Sequence, residues 1–233
     1  MVRPDLAEDA VRNAEPRRGR ASGVRRAALI LALLLAAVGA IPATRHAVLR
    51  ALGSALVVAD AIEAADVVVI SESGGSWEFL AAEIDASDLY QRHQVSQVVV
   101  LKATPNPIDL ELARRGVKIE DVTISILRQL GVPDGAIVTL EAGEGGTLES
   151  TRALASWARA RPARVLVIIG AAHARRYRRT LLRVWPAEVP APRVTYPRRT
   201  PFTIDAWWTT RRTLREGLFE LEKLAWDSIT HPW

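Results

Sequence analysis

Four short runs of apolar, mostly β-branched residues limit what this chain can fold into. They are Asp66-Val67-Val68-Val69-Ile70, Gln97-Val98-Val99-Val100-Leu101, Ala136 to Leu140 and Arg164 to Ile169. They do not alternate polar with apolar residues, so such strands must be covered on both faces. Stretches with helical spacing separate them. Trp77 to Arg92 reads as a helix. Ile119 to Leu130 reads as another, closed by Gly131-Val132-Pro133, a glycine stop followed by proline. Leu148 to Ala160 and His173 to Val184 read as helices, and Arg193 to Tyr196 as a short last strand. Lys102 to Gly116 reads as a long connection containing Pro105 and Pro107. Asp205 to Ser228 is a long final helix whose Leu214, Leu218, Leu221 and Leu224 form a packing stripe. This alternation predicts an α/β, Rossmann-like domain over residues 65 to 233, a mainly parallel sheet with helices on both faces.

The amino terminus has a different character. Residues 1 to 26 are polar, with Arg17, Arg18, Arg20, Arg25 and Arg26 close together, and read as a disordered cytoplasmic tail. An apolar run follows from Ala27 to Ala43. As a helix it would span roughly 26 Å, just enough for a bilayer core. It is therefore expected to be a single transmembrane helix preceding the domain. The arginines on its amino-terminal side place that side in the cytoplasm. The folded domain is then expected outside that membrane, in the periplasm or at the cell surface. A cleaved signal peptide, ending near Ala40 or Ala43, and a buried soluble helix are the alternatives. Residues 44 to 64 read as a strap joining anchor to sheet, because Asp60 interrupts the apolar stretch Leu52 to Ile62.

In an open α/β sheet, ligands bind outside the carboxyl ends of the strands. Several candidates fall there. Gly74 and Gly75 lie in the loop Ser71 to Ser76, where a ligand can approach the backbone and the next helix offers free N–H groups. That loop is neither a dinucleotide fingerprint nor a P-loop. A plain tight turn is the alternative. Thr147 and Glu149 open the helix after the third strand. Thr147 suits an N-cap and Glu149 the helix dipole, or Glu149 acts as a general base. Glu141 is a second acid at the end of the third strand. His173, Arg175 and Arg176 follow the fourth strand. The histidine can serve proton transfer, and guanidiniums pair with phosphate or carboxylate through two parallel hydrogen bonds. Arg178, Arg179 and Arg183 read as a solvated or membrane-facing stripe.

Other chemistry is disfavoured. The chain has no cysteine, which excludes disulfides, thiolate nucleophiles and cysteine-ligated metals. No metal site is expected from its four histidines, because no ligand spacing such as H-E-x-x-H occurs. There is no G-x-S-x-G elbow. The net charge of +5 comes with 28 Arg and 3 Lys, but without interleaved aromatics it does not suggest a nucleic-acid partner.

Taken in order, several of these segments resemble the YdcF/SanA/ElyC family of bacterial α/β proteins. They are the strand Ala65-Asp66-Val67-Val68-Val69-Ile70, the glycines Gly74-Gly75, Leu130 to Pro133, Thr147 with Glu149, and His173 with Arg176. Arg175, the pair Trp207-Trp208, and Glu220 with Lys223 are similar to a membrane-anchored subgroup. The resemblance runs from about Ala55 to Trp233. It implies a Rossmann-like domain and, for anchored members, a role at the envelope, in peptidoglycan assembly or in handling polyprenyl-phosphate carriers. It also implies S-adenosylmethionine as a cofactor of a soluble member type. The sequence departs from the family at Lys102-Ala103-Thr104-Pro105, where Ser-Gly-Gly is usual, and in the first loop.

The expectation is a membrane-anchored envelope protein that binds an anionic small molecule or a lipid-linked glycan phosphate. Arg175 and Arg176 would hold the anion, with Glu149 and His173 moving protons in a hydrolase or transferase. A non-catalytic assembly factor is the alternative, with the arginine-rich helix and Trp207/Trp208 against membrane or partner. S-adenosylmethionine binding is a further one.

Overall fold

The structure, a computed structural model, describes residues 26, 29, 30, 41–62, 65–71, 76–102, 104, 105, 107–116, 122–143 and 146–232. The chain divides into two compact units, Met1–Val48 and Leu49–Trp233. Most of the run Ala27 to Ala43 lies outside the described residues, as do Gly74 and Gly75. Among the described residues, no helix is long and apolar enough to cross a membrane. Helix α1 spans Pro42–Leu56, so much of the segment 44–62 expected to be a strap is helical. Its residues from Leu49 onward belong to the second unit.

That unit is an α/β domain with a Rossmann-like sheet. Five parallel strands lie in the order β3-β2-β1-β4-β5. They are β1 (Val67–Ser71), β2 (Gln97–Lys102), β3 (Ile137–Glu141), β4 (Val165–Ile168) and β5 (Arg193–Thr195). The residues of β1 and β4 are all buried. Along β1 the side chains alternate between two cores. Val67 and Val69 join one, Val68 and Ile70 the other. Helices α2 (Ser76–Gln91) and α4 (Val122–Gln129) cover the second face through Ala82, Ala86, Leu89 and Leu127. Helices α5 (Thr147–Ala160) and α6 (Ala174–Val184) cover the first through Leu154, Trp157, Tyr177 and Leu181. Fully burying a Val or Ile is worth about 1.5–3 kcal/mol, so a strand apolar on both sides requires both layers.

At the amino ends of the central strands, Asp66 accepts hydrogen bonds from the Arg164 backbone and side chain, each at 2.7 Å. The acidic residue that opens the first strand thus ties β1 to β4. The side chain of Arg164 holds the Asp66 carboxyl below its usual range.

Three expectations change. The long connection after β2 contains helix α3, Pro107–Arg114. Proline there starts the helix, since the first helical position needs no N–H partner. The final helix, α7, begins only at Arg211, where the Thr210 hydroxyl accepts from the Thr213 N–H at 3.2 Å. Leu214, Leu221 and Leu224 of the expected stripe pack half-buried against the domain, Leu218 alone of the four leucines is exposed, and Thr213, Gly217 and Glu220 are the buried positions of the inward face. The reason is Trp207. This indole is completely buried between α1 and α7 and donates from Nε1 to the Leu49 carbonyl at 2.8 Å. A Cβ on Gly53 would lie 2.8 Å from the ring, and one on Gly217 would lie 2.5 Å from it. Both helices need glycine at the crossing. Trp207 is therefore a packing element of the domain and not a membrane or partner contact. Trp208 sits half-buried, edge-on against it.

Candidate functional site

The sheet order reverses between β1 and β4, and the crevice at their carboxyl ends is where such folds bind ligands. After β4 the chain makes a tight turn, Ala171–His173, with Ala171 and Ala172 fully buried. Small residues let the turn lie against Phe202 and Trp207. His173 is delivered directly beneath the start of α6, and its side chain is 13% exposed.

Four side chains from three helices and this turn meet there. The His173 Nδ1 is 3.0 Å from Glu220 Oε2. Arg176 donates from Nε to Glu220 Oε2 at 2.8 Å and from a terminal nitrogen to Oε1 at 3.2 Å. Its other terminal nitrogen donates to Thr147 Oγ1 at 3.2 Å. Thr147 Oγ1 is 3.5 Å from His173 Nε2. Lys223 donates to Glu220 Oε1 at 2.9 Å from the rim.

Burial would push the Glu220 carboxyl up, but hydrogen bonds from His173 and Arg176 outweigh it and hold the group well below the usual carboxylate range. Burial lowers His173, against the opposing pull of Glu220, so the imidazole is neutral at pH 7. Its tautomer follows from the network. Nδ1 also lies 2.9 Å from an Arg176 nitrogen. Arg176 and the Glu220 carboxylate therefore compete for Nδ1, and the carboxylate, as a charged acceptor, is the stronger partner for a hydrogen there. His173 therefore donates from Nδ1 to Glu220 and presents a bare Nε2 to Thr147.

Thr147 does not cap its helix. Gly146, at φ 76°, holds the N-cap position without a side-chain bond. The N–H groups of Thr147, Leu148 and Glu149 have no partner inside the helix, by helix geometry. The Thr147 hydroxyl thus meets Arg176 at the amino-terminal end of α5. Beneath lies Tyr177, edge-on to His173 at 5.8 Å. Burial pushes its phenol up to about 12, with the Ser71 side chain opposing.

The other candidate residues lie elsewhere. Arg175 donates to the carbonyls of Ala55 at 3.2 Å and Val57 at 3.1 Å, and so satisfies the carboxyl end of α1. Glu149 leans toward Gly143 and lies 3.9 Å from Arg152, with one buried oxygen lacking a hydrogen bond among the described residues. Glu141 is exposed at the end of edge strand β3. Arg178, Arg179 and Arg183 do not form a solvated stripe. Arg178 pairs with Asp60 at 3.3 Å, Arg179 pairs with Asp227 at 3.2 Å, and Arg183 also pairs with Asp227. Among the described residues, no group of three or more His, Asp or Glu side chains is placed to hold a metal ion. Glu220, Lys223 and Tyr177 complete the site. The only sequence trace of the first two is the Glu-x-x-Lys spacing in the final helix.

No family model matches this chain, and no curated protein matches it. Among solved structures, the chain is similar to glucose-6-phosphate 1-dehydrogenase from Mycobacterium avium, at 15% identity and a TM-score of 0.35. The match covers 69% of this chain and 34% of that one, so the chain spans about a third of that protein's length. This likeness bears on neither the site nor its chemistry.

Proposed function

We propose that the domain binds the phosphate of an amphiphilic ligand at the carboxyl edge of its sheet. The observation that carries this reading is the convergence of Arg176, the Thr147 hydroxyl and the open end of α5 at the switch point. Two cations, Arg176 and Lys223, share one carboxylate, leaving one net positive charge. Helix N-termini and guanidiniums both favour phosphate oxygens.

Apolar side chains stand exposed at the same edge. Leu80 of α2, Ile108 and Leu110 of α3 and Leu148 of α5 are 46%, 70%, 48% and 37% exposed. Each lies near the start of the helix that follows β1, β2 or β3. Such a collar suits a phosphate carried on a hydrocarbon tail. In this reading the run Ala27 to Ala43 anchors the chain in the cytoplasmic membrane, with the domain outside, acting on lipid-linked phosphates of the envelope.

The test is calorimetric titration of the full chain with decyl phosphate, inorganic phosphate and S-adenosylmethionine. Decyl phosphate is expected to bind at least about 10-fold more tightly than inorganic phosphate, the worth of one buried apolar side chain. Equal affinity for the two phosphates removes the amphiphile. Binding of S-adenosylmethionine alone replaces the reading altogether.

A further inference from the structure

Thr147, His173 and Glu220 form a line of hydroxyl, imidazole and carboxylate. This is the arrangement of a nucleophile, its base and the group that orients the base. We propose that Thr147 is the nucleophile of a phosphoryl transfer, with His173 Nε2 taking its proton and Glu220 holding the imidazole. The proposal rests on the phosphate-binding reading above and adds a covalent step to it.

The geometry supports each role. Glu220 Oε2 fixes the Nδ1 hydrogen at 3.0 Å, so the lone pair of Nε2 faces Thr147 Oγ1 at 3.5 Å. A separation of this kind commonly tightens when substrate is bound. Arg176 donates to the same hydroxyl oxygen at 3.2 Å, which stabilises it as it loses its proton. Thr147 makes no helix cap, so its side chain is free for this use. The N–H groups of the first turn of α5 adjoin Thr147 and favour negative charge there.

In the first step the Oγ1–P bond forms and the bond from phosphorus to the leaving oxygen breaks. The threonine proton passes to Nε2 and then to the leaving oxygen. In the second step water attacks phosphorus and gives a proton to Nε2. The Oγ1–P bond breaks, and Oγ1 recovers that proton as phosphate departs. Thr147 and His173 are catalytic residues in this scheme, and Glu220 is a positioning residue.

An alkyl fluorophosphonate tests the first step without the natural substrate. The oxygen of an activated hydroxyl displaces fluoride and keeps the phosphonyl group. Full-length protein is expected to gain one adduct, located at Thr147 by peptide mass spectrometry. Thr147→Ser should still label. Thr147→Ala should not label, while its melting temperature and circular dichroism show that the fold is intact. His173→Gln should slow labelling about 100-fold, a usual share for a general base. The rate should rise with pH through a midpoint below 6.5, because burial lowers His173. Glu220→Gln should move that midpoint lower still, since the carboxylate favours the imidazolium. A purely structural Glu220 would leave the midpoint in place. Labelling elsewhere, no labelling, or Thr147 labelling unaffected by His173→Gln overturns the proposal. If decyl phosphate still binds in any of those cases, the phosphate site survives and only the transfer step falls. If it does not bind, both fall.

Discussion

At the start of α6, Arg176 grips Glu220 of α7. Seven residues further along each helix, Arg183 grips Asp227. The two helices therefore run in the same direction and are joined at two similar clusters. Each cluster sets two cations against one carboxylate: Arg176 and Lys223 on Glu220, and Arg179 and Arg183 on Asp227. Each also has a histidine within ion-pair distance of the acid. Net charge alone cannot tell a site from a clasp. The difference lies in the surroundings. His173 is 13% exposed and faces a hydroxyl at the open end of another helix, whereas His231 is 62% exposed at the end of its own helix. Only the first cluster lies at the reversal of the strand order. The second joins α6 to α7.

The strongest way to break this comparison is to remove one guanidinium from each cluster. Arg176 and Arg179 are similarly buried, at 16% and 12% exposure. Arg176→Gln and Arg179→Gln should each destabilise the fold by about 3 kcal/mol, because each leaves a shielded carboxylate short of a partner. Urea denaturation measures this. Only Arg176→Gln should abolish decyl phosphate binding by calorimetry. Loss of binding in both, or in neither, would erase the distinction.

Acid should separate the clusters more gently. His173 is held below its ordinary value, so the unfolded chain binds its proton first and stability falls as pH drops below 6.5. Glu220 and Asp227 are also lowered, by hydrogen bonds from His173 and Arg176 and from Arg183 and Arg179 that outweigh burial. Their contributions are complete above the ordinary carboxylate range and are lost as pH falls through it. Denaturation midpoints across pH should therefore show loss beginning near 6.5 and deepening in acid. His173→Gln should remove the first part and keep the second. An unchanged profile would mean that His173 is not buried as a neutral ring.

A smaller effect is expected at Arg175. Arg175→Met removes hydrogen bonds to the carbonyls that end α1 and should cost about 1 kcal/mol in urea denaturation. Affinity for decyl phosphate should not change. A large loss of affinity would return Arg175 to the anion site.

The sheet could be read in advance because its strands are apolar on both faces, a pattern that permits few other architectures. The strand order could not, since it depends on where each crossover lands. His173, Arg176 and Thr147 stood out through their places at strand ends. Glu220 did not. Its partner Arg176 is 44 residues away, and in the sequence it sits among leucines that suggest an apolar stripe. The remaining arginines of α6 were misread for the same reason. Asp227 lies 48 residues from Arg179, and Val57 lies 118 residues from Arg175. The sequence leaves Trp207 open to an interface reading because the two glycines that make room for it, Gly53 and Gly217, are on separate helices.

One spectrum compares the two clusters directly. In full-length protein labelled with nitrogen-15 at arginine, the Nε–H signals of Arg176 and Arg179 can be followed by NMR as decyl phosphate is added. The account predicts that the Arg176 signal shifts in a saturable manner while Arg179 stays in place. A saturable shift of Arg179 without one at Arg176, or no shift in either, would contradict it.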